Sequence, residues 1–151
     1  MSHLVDITPS AEEQIEFHKI RELLAGYARG AFGHEACLKL HPMSDITDIQ
    51  YRLDQVYEYS EISALSERPQ LSAYEDVAES LDHLAIDGYV LPQEDIHEIG
   101  RQMEQVKLIH QFFSKPDTRR DYPEIFQWTL LAADPANLIK PIRAILDEKG
   151  E

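Results

Sequence analysis

The chain has 151 residues, 43% of them hydrophobic, and carries 28 acidic against 14 basic side chains for a net charge of −14. That length supports one core, so residues 1–151 read as a single domain. The charge argues against tight nucleic-acid binding by this chain alone, since affinity for DNA comes largely from Lys and Arg neutralising phosphates. No apolar run approaches the roughly 20 residues that cross a bilayer, and no basic and then apolar leader opens the chain, so the expectation is a cytoplasmic protein without a membrane partner.

Ser10 and Glu13 form a capping-box pattern, and Ile20, Leu23, Leu24 and Tyr27 follow at helical spacing. The pattern predicts a first helix from about Ala11 to Ala28. Gly30 and Gly33 punctuate it, and a second, shorter helix carrying Phe32, Ala36 and Leu40 must stop before Pro42. Its Cys37 has no second cysteine to pair with and, between Ala36 and Leu38, reads as a small core residue.

A third helix is predicted from Ser44–Thr47 to about Ser66, with Ile46, Ile49, Leu53, Val56 and Ser60 in steps of three and four. Such steps make the seam of a helix packed on a nearly parallel or antiparallel neighbour. The predicted mate runs from about Pro92 to Phe113, where Ile96, Ile99, Met103, Val106, His110 and Phe113 repeat the pattern. Between them Ser72 and Glu75 suggest a capping box opening a short helix to about Leu84, and Asp87-Gly88 marks a turn. His110, on an apolar stripe, is expected to be a hydrogen-bonded core histidine.

After Lys115-Pro116 a polar loop over 117–121 leads into a short helix with Ile125, Phe126, Trp128, Leu130 and Leu131, of which Trp128 reads as a core anchor. Asp134-Pro135 offers an N-cap and a first-turn proline. Pro141 then argues for a turn or kink before a final helix with Ile142, Ile145 and Leu146. The whole pattern is all-α: an elongated helical bundle with two long antiparallel helices.

No Gly-x-x-x-x-Gly-Lys-Ser/Thr, Gly-x-Ser-x-Gly, Cys-x-x-Cys or His-Glu-x-x-His occurs, so no catalytic, cofactor-binding or metal-ligating residue is assigned. Glu94-x-x-His97 has the spacing of a di-metal bundle ligand pair, but no second copy exists, and His97 reads as a surface residue beside Glu94 and Glu98. His34 and His41 read as two partly exposed histidines. Lys115, Arg119 and Arg120 are the only compact basic group and the one place where a phosphate contact is conceivable. Residues 69–100 contain no Lys or Arg while Glu75, Asp76, Glu79, Asp82, Asp87 and Glu94 are among its acids, a solvated face or an acidic docking site.

Across Glu16–Pro42, Phe17, Lys19, Ile20, Leu23 and Leu24, with Ile15 before them, precede a small-residue helix holding Gly33, Glu35 and Ala36 and then Leu40 and Pro42. This order resembles the opening helices of MutS-like proteins of the second MutS subfamily. Ile86–Ile96 is similar to that family's apolar, Gly, apolar-Leu, Pro and acidic lead into a long helix, although Leu91 stands where the family has serine. Ile139–Gly150, through Ile142, Ile145, Asp147 and Gly150, is similar to a later segment.

The resemblance implies an N-terminal helical domain of a larger DNA repair or recombination ATPase, a core from which lever helices project. It implies no catalysis by this part, ATP and Mg in the parent, a parent homodimer, and DNA bound through the parent. The other domains of the same parent chain would be its immediate partners. A stand-alone acidic helical adaptor for a basic protein is the alternative from a different class, and a helical-bundle metal enzyme is a third.

Overall fold

The structure, a computed structural model, describes residues 9–145. Among these residues the regular elements are helical and no strand occurs: α1 (Pro9–Gln14), α2 (Phe17–Ala25), α3 (Ala31–Leu38), α4 (Ile46–Ala64), α5 (Ala78–His83), α6 (Gln93–Phe112), α7 (Pro116–Asp121), α8 (Pro123–Thr129) and α9 (Ala136–Ile145). The all-α class expected from the periodicity is the class adopted. Leu146, Asp147 and Gly150, called as parts of the final helix and its motif, lie outside the described residues. The contacts divide the chain into two units, Met1–Tyr57 and Glu58–Glu151, with the boundary inside α4.

In the first unit the single helix predicted for about Ala11–Ala28 is broken into α1 and α2 by Glu16, whose φ of 55° and ψ of 35° are left-handed. Ser10 lies inside α1 rather than capping it. No glycine or proline forces the break; a long-range ion pair accompanies it. Glu12 and Arg21 are nine residues apart, about 13 Å along a continuous helix, yet their carboxylate and guanidinium meet at 3.3 Å. Arg21 also donates to the Leu40 carbonyl at 3.0 Å, and His41 Nδ1 lies 3.2 Å from Glu12. This polar node ties α1 and α2 to the chain leaving α3. α2 and α3 pack through small residues, with Ala25 buried and Gly33 beside Ala28.

α4 starts where the sequence placed it because Asp45 caps it. Asp45 Oδ1 accepts from the N–H of Thr47 at 2.8 Å and of Asp48 at 3.1 Å, satisfying donors that the first turn leaves without helical partners. Those bonds, that from Asp48 foremost, hold the Asp45 carboxyl below the usual Asp range. A carboxylate so lowered stabilises the fold above its unfolded pKa and loses that contribution as pH falls through the folded one. Asp45→Ala should therefore fray the first turn of α4 at neutral pH, and acid titration followed by far-UV circular dichroism should show the two proteins converging once Asp45 is protonated.

The second unit is built on α6. Along one side of this helix Glu98, Arg101, Gln102 and Gln105 hold the extended segment that precedes α5. Glu98 accepts from the Glu75 N–H at 3.0 Å, Arg101 donates to Glu98 at 2.9 Å and to the Ala73 carbonyl at 3.1 Å, Gln102 donates to the Glu75 carbonyl at 2.7 Å, and Gln105 accepts from the Ser72 N–H at 3.0 Å. This corrects the predicted capping box at Ser72 and Glu75: their N–H groups are taken by α6 side chains, so the chain stays extended there. α5 begins only at Ala78, whose N–H is accepted by Asp76 at 2.9 Å.

α9 crosses α6 at close range, where a Cβ on Gly100 would stand 3.0 Å from Ile142 Cγ2. Asp134 accepts from the Ala136 N–H at 2.9 Å, the cap the sequence suggested. Pro141, however, does not divide the segment: α9 runs unbroken from Ala136 to Ile145. Proline removes one helical bond, but Ile139, buried, and Ile142, against Gly100, hold the helix on both sides of it.

At the other end of α6, Phe113 is buried with its ring 5.7 Å from Phe126 and edge-on to Phe112 at 5.0 Å. The polar loop predicted for 117–121 is instead α7, opened by Pro116 at a position where its missing donor costs nothing. The Glu58 carboxylate, itself buried, receives the N–H groups of Glu124 at 3.1 Å and Ile125 at 2.8 Å and so caps α8 from a distance in sequence. Trp128 is not the anchor expected. It is 53% exposed, while Phe126 turns inward, because the short α8 presents one face to α6 and 126 and 128 cannot share it.

His110 is half-buried, but its Nε2 is enclosed without a hydrogen-bond partner, contrary to the hydrogen-bonded histidine expected. An enclosed nitrogen left unpaired costs about 1–3 kcal/mol, so His110→Leu should stabilise the chain by about 1 kcal/mol, read as a raised melting temperature.

Candidate functional site

Of the three basic residues singled out in the sequence, Lys115 precedes α7 and Arg119 and Arg120 lie in its last turn, each with a partner. Lys115 Nζ lies 2.9 Å from Glu67, a bond that lowers the Glu67 carboxyl below its usual range. Arg119 donates from Nε to the Phe113 carbonyl and from Nη2 to the Ser114 carbonyl at 2.9 Å, while its guanidinium lies 5.4 Å from the Phe126 ring centroid. It thereby closes the C-terminal end of α6. Arg120 is 2.9 Å from Asp121 and 3.0 Å from Asp117, which hold it further toward its charged form, Asp121 first. Lys115 and Arg120 face three carboxylates while Arg119 is held by two carbonyls, so the cluster presents little net positive charge to a phosphate.

A groove of 520 Å³ lies along α6 and α9, floored by Leu108, Ile139 and Ile142 and edged by His97, Arg101 and Gln105. Arg143 meets Glu104 across it at 2.7 Å. His97, read as a surface residue, is half-buried here. Among the described residues no three His, Cys, Asp or Glu side chains stand close enough to share a metal ion. His34 is exposed, and His41 is exposed beside Glu12, as expected of both. Cys37 is half-buried with a free thiol, less enclosed than its neighbours suggested. No described helix is long and apolar enough to cross a membrane.

Several helices also leave large apolar side chains exposed. Among the described residues of the first unit Ala25 is the one buried apolar side chain, whereas Ile20 and Leu23 of α2 and Tyr27 in the turn after it, at 48%, 62% and 78%, stand open. Phe32 of α3 is exposed as well. On α4, Ile46, Leu53 and Val56 of the predicted seam are all exposed, Ile46 at 82%. Helices with apolar stripes left in water mark an interaction surface. The ladder on α6 was missed in the sequence, although Glu98, Arg101, Gln102 and Gln105 form a polar stripe at spacing three, four and seven that a helix facing only solvent has no need to align.

Comparison with known proteins gives one consistent relationship. The MutS2 protein of Bacillus subtilis (strain 168) is 30% identical over 138 residues, which are 91% of this chain and 18% of the relative. Endonuclease MutS2 of Bacillus velezensis is 32% identical over 101 residues, 67% of this chain and 13% of the relative. That of Clostridium beijerinckii is 24% identical over 134 residues, 89% and 16% respectively. The chain thus spans less than a fifth of the length of these curated relatives. No protein-family model matches it, and no solved structure does. Over most of its length the chain is a distant homologue of MutS2 endonucleases.

Proposed function

We propose that this chain is a non-catalytic structural domain, of core and lever type, from the N-terminal part of a MutS-like DNA repair or recombination-control ATPase. Its role is to couple an ATPase part located elsewhere in the parent to nucleic-acid binding. One observation carries the reading: the match to proteins named endonuclease MutS2 runs along 91% of this chain but 18% of the relative, while the first unit leaves its apolar helix faces uncovered. A domain that packs against the rest of a larger protein needs such faces; a free-standing one is destabilised by them.

ATP, Mg, the homodimer contact and the nuclease activity in the relatives' names are assigned to the parent beyond this chain. DNA is assigned there too, since a net charge of −14 repels phosphate. The reading is tested by following the native coding frame past Glu151. A downstream Gly-x-x-x-x-Gly-Lys-Ser/Thr is expected. A stop codon would sink the reading in favour of an independent acidic adaptor that binds a basic protein.

A further inference from the structure

α5 and the turn after it, in the second unit, also carry exposed apolar side chains. Leu81, Leu84, Ile86, Tyr89 and Val90 are all exposed, Val90 at 81%, within ten residues of chain. The surface is built rather than loose. The Ile86 N–H donates to the His83 carbonyl at 3.0 Å and the Tyr89 N–H to the Ile86 carbonyl at 3.1 Å, and the His83 and Tyr89 rings stand 5.0 Å apart. Gly88 turns the chain at φ 78°, a conformation that suits glycine. The Ser80 hydroxyl donates to Asp95 at 2.7 Å and fixes α5 to the first turn of α6.

The charged side chains carried by this stretch and by the start of α6 have one sign. Glu79 and Asp82 lie on α5, Asp87 in the turn, and Glu94 and Asp95 at the start of α6, while no Lys or Arg occurs from 69 to 100. A second copy of the chain would set carboxylates against carboxylates, and a nucleic acid would set them against phosphates. Apolar side chains interspersed with acidic ones are complementary to one kind of partner, a segment whose apolar side chains are flanked by Lys or Arg.

We infer that α5 and the 84–91 turn form a docking surface for a basic amphipathic helix of another protein segment. This holds whether or not the chain belongs to a larger ATPase. The test is fluorescence anisotropy of a labelled amphipathic Leu/Lys peptide titrated with the full chain, with a Leu/Glu peptide of the same pattern as control. The Leu/Lys peptide is expected to bind. Ile86→Ser with Val90→Ser, and separately Asp82→Lys with Asp87→Lys, should each weaken it about tenfold, the loss of one to two contact residues at such a surface. Glu13→Lys with Glu61→Lys, the same charge change at exposed sites elsewhere, should leave binding within about twofold. Equal weakening by the patch and control charge variants would reduce the effect to net charge and overturn the inference. So would tight binding of the Leu/Glu peptide, or no binding of either.

Discussion

Phe113→Ala should lower the stability of the second unit by about 3–5 kcal/mol, the range for truncating a buried aromatic. Phe113 is 4% exposed and stands where α6 ends, with Phe112 edge-on to it and Phe126 of α8 beside it. Its carbonyl also receives Arg119, whose guanidinium covers Phe126, so the void would open between three elements rather than inside one. Collapse into it would require α7 and α8 to move together, which is why the upper part of the range applies. Urea unfolding should show a lower midpoint with an unchanged slope. Phe113→Leu, which fills most of the volume, should cost about 1 kcal/mol.

Glu98→Ala should cost about 3 kcal/mol, for a different reason. Glu98 is 7% exposed and gathers the Glu75 N–H, Arg101 and Gln102, the latter at 3.2 Å. Hydrogen bonds to a charged group are worth about 1.5–3 kcal/mol, and removal of the acceptor also leaves the Glu75 N–H without its partner. The damage should be local. Amide exchange at Ser72 and Glu75 should accelerate sharply while α9 stays protected. Glu98→Gln, which keeps an oxygen for the Glu75 N–H, should recover about half of the loss. Equal exchange at Glu75 in the variant and the wild type would mean that the carboxylate does not hold the segment.

Regular helices with strong punctuation were legible in the sequence. α4 begins within the predicted Ser44–Thr47 window, α6 after Pro92, and α9 after its Asp134 cap, because such starts are settled by neighbours a few residues away. What was not legible depends on distant partners. Glu16 breaks the first helix where Glu12, Arg21 and His41 converge; Ser72 and Glu75 fail to start a helix because Gln105 and Glu98 take their N–H groups. α8 is capped by Glu58, 66 residues away.

The candidate site was legible in a different sense. The stripes on α2 and α4 were recognised as faces seeking a partner, but the sequence alone made them core, and Ile46, Leu53 and Val56 are exposed. Lys115, Arg119 and Arg120 were visible as a basic group. Their carbonyl and carboxylate partners were not, since Glu67 lies 48 residues from Lys115 and the Phe113 carbonyl has no sequence signature.

The most direct measurement is amide hydrogen exchange of α2 and α6, made on the 151-residue chain alone and again on the longer protein encoded by its native frame. A structural domain with uncovered faces should exchange quickly over α2 in isolation, because the first unit buries so little, and slowly over α6. In the longer protein α2 should slow by about tenfold or more as its face is covered. Protection of α2 equal to that of α6 in the isolated chain, or no slowing in the longer protein, would contradict the proposed role.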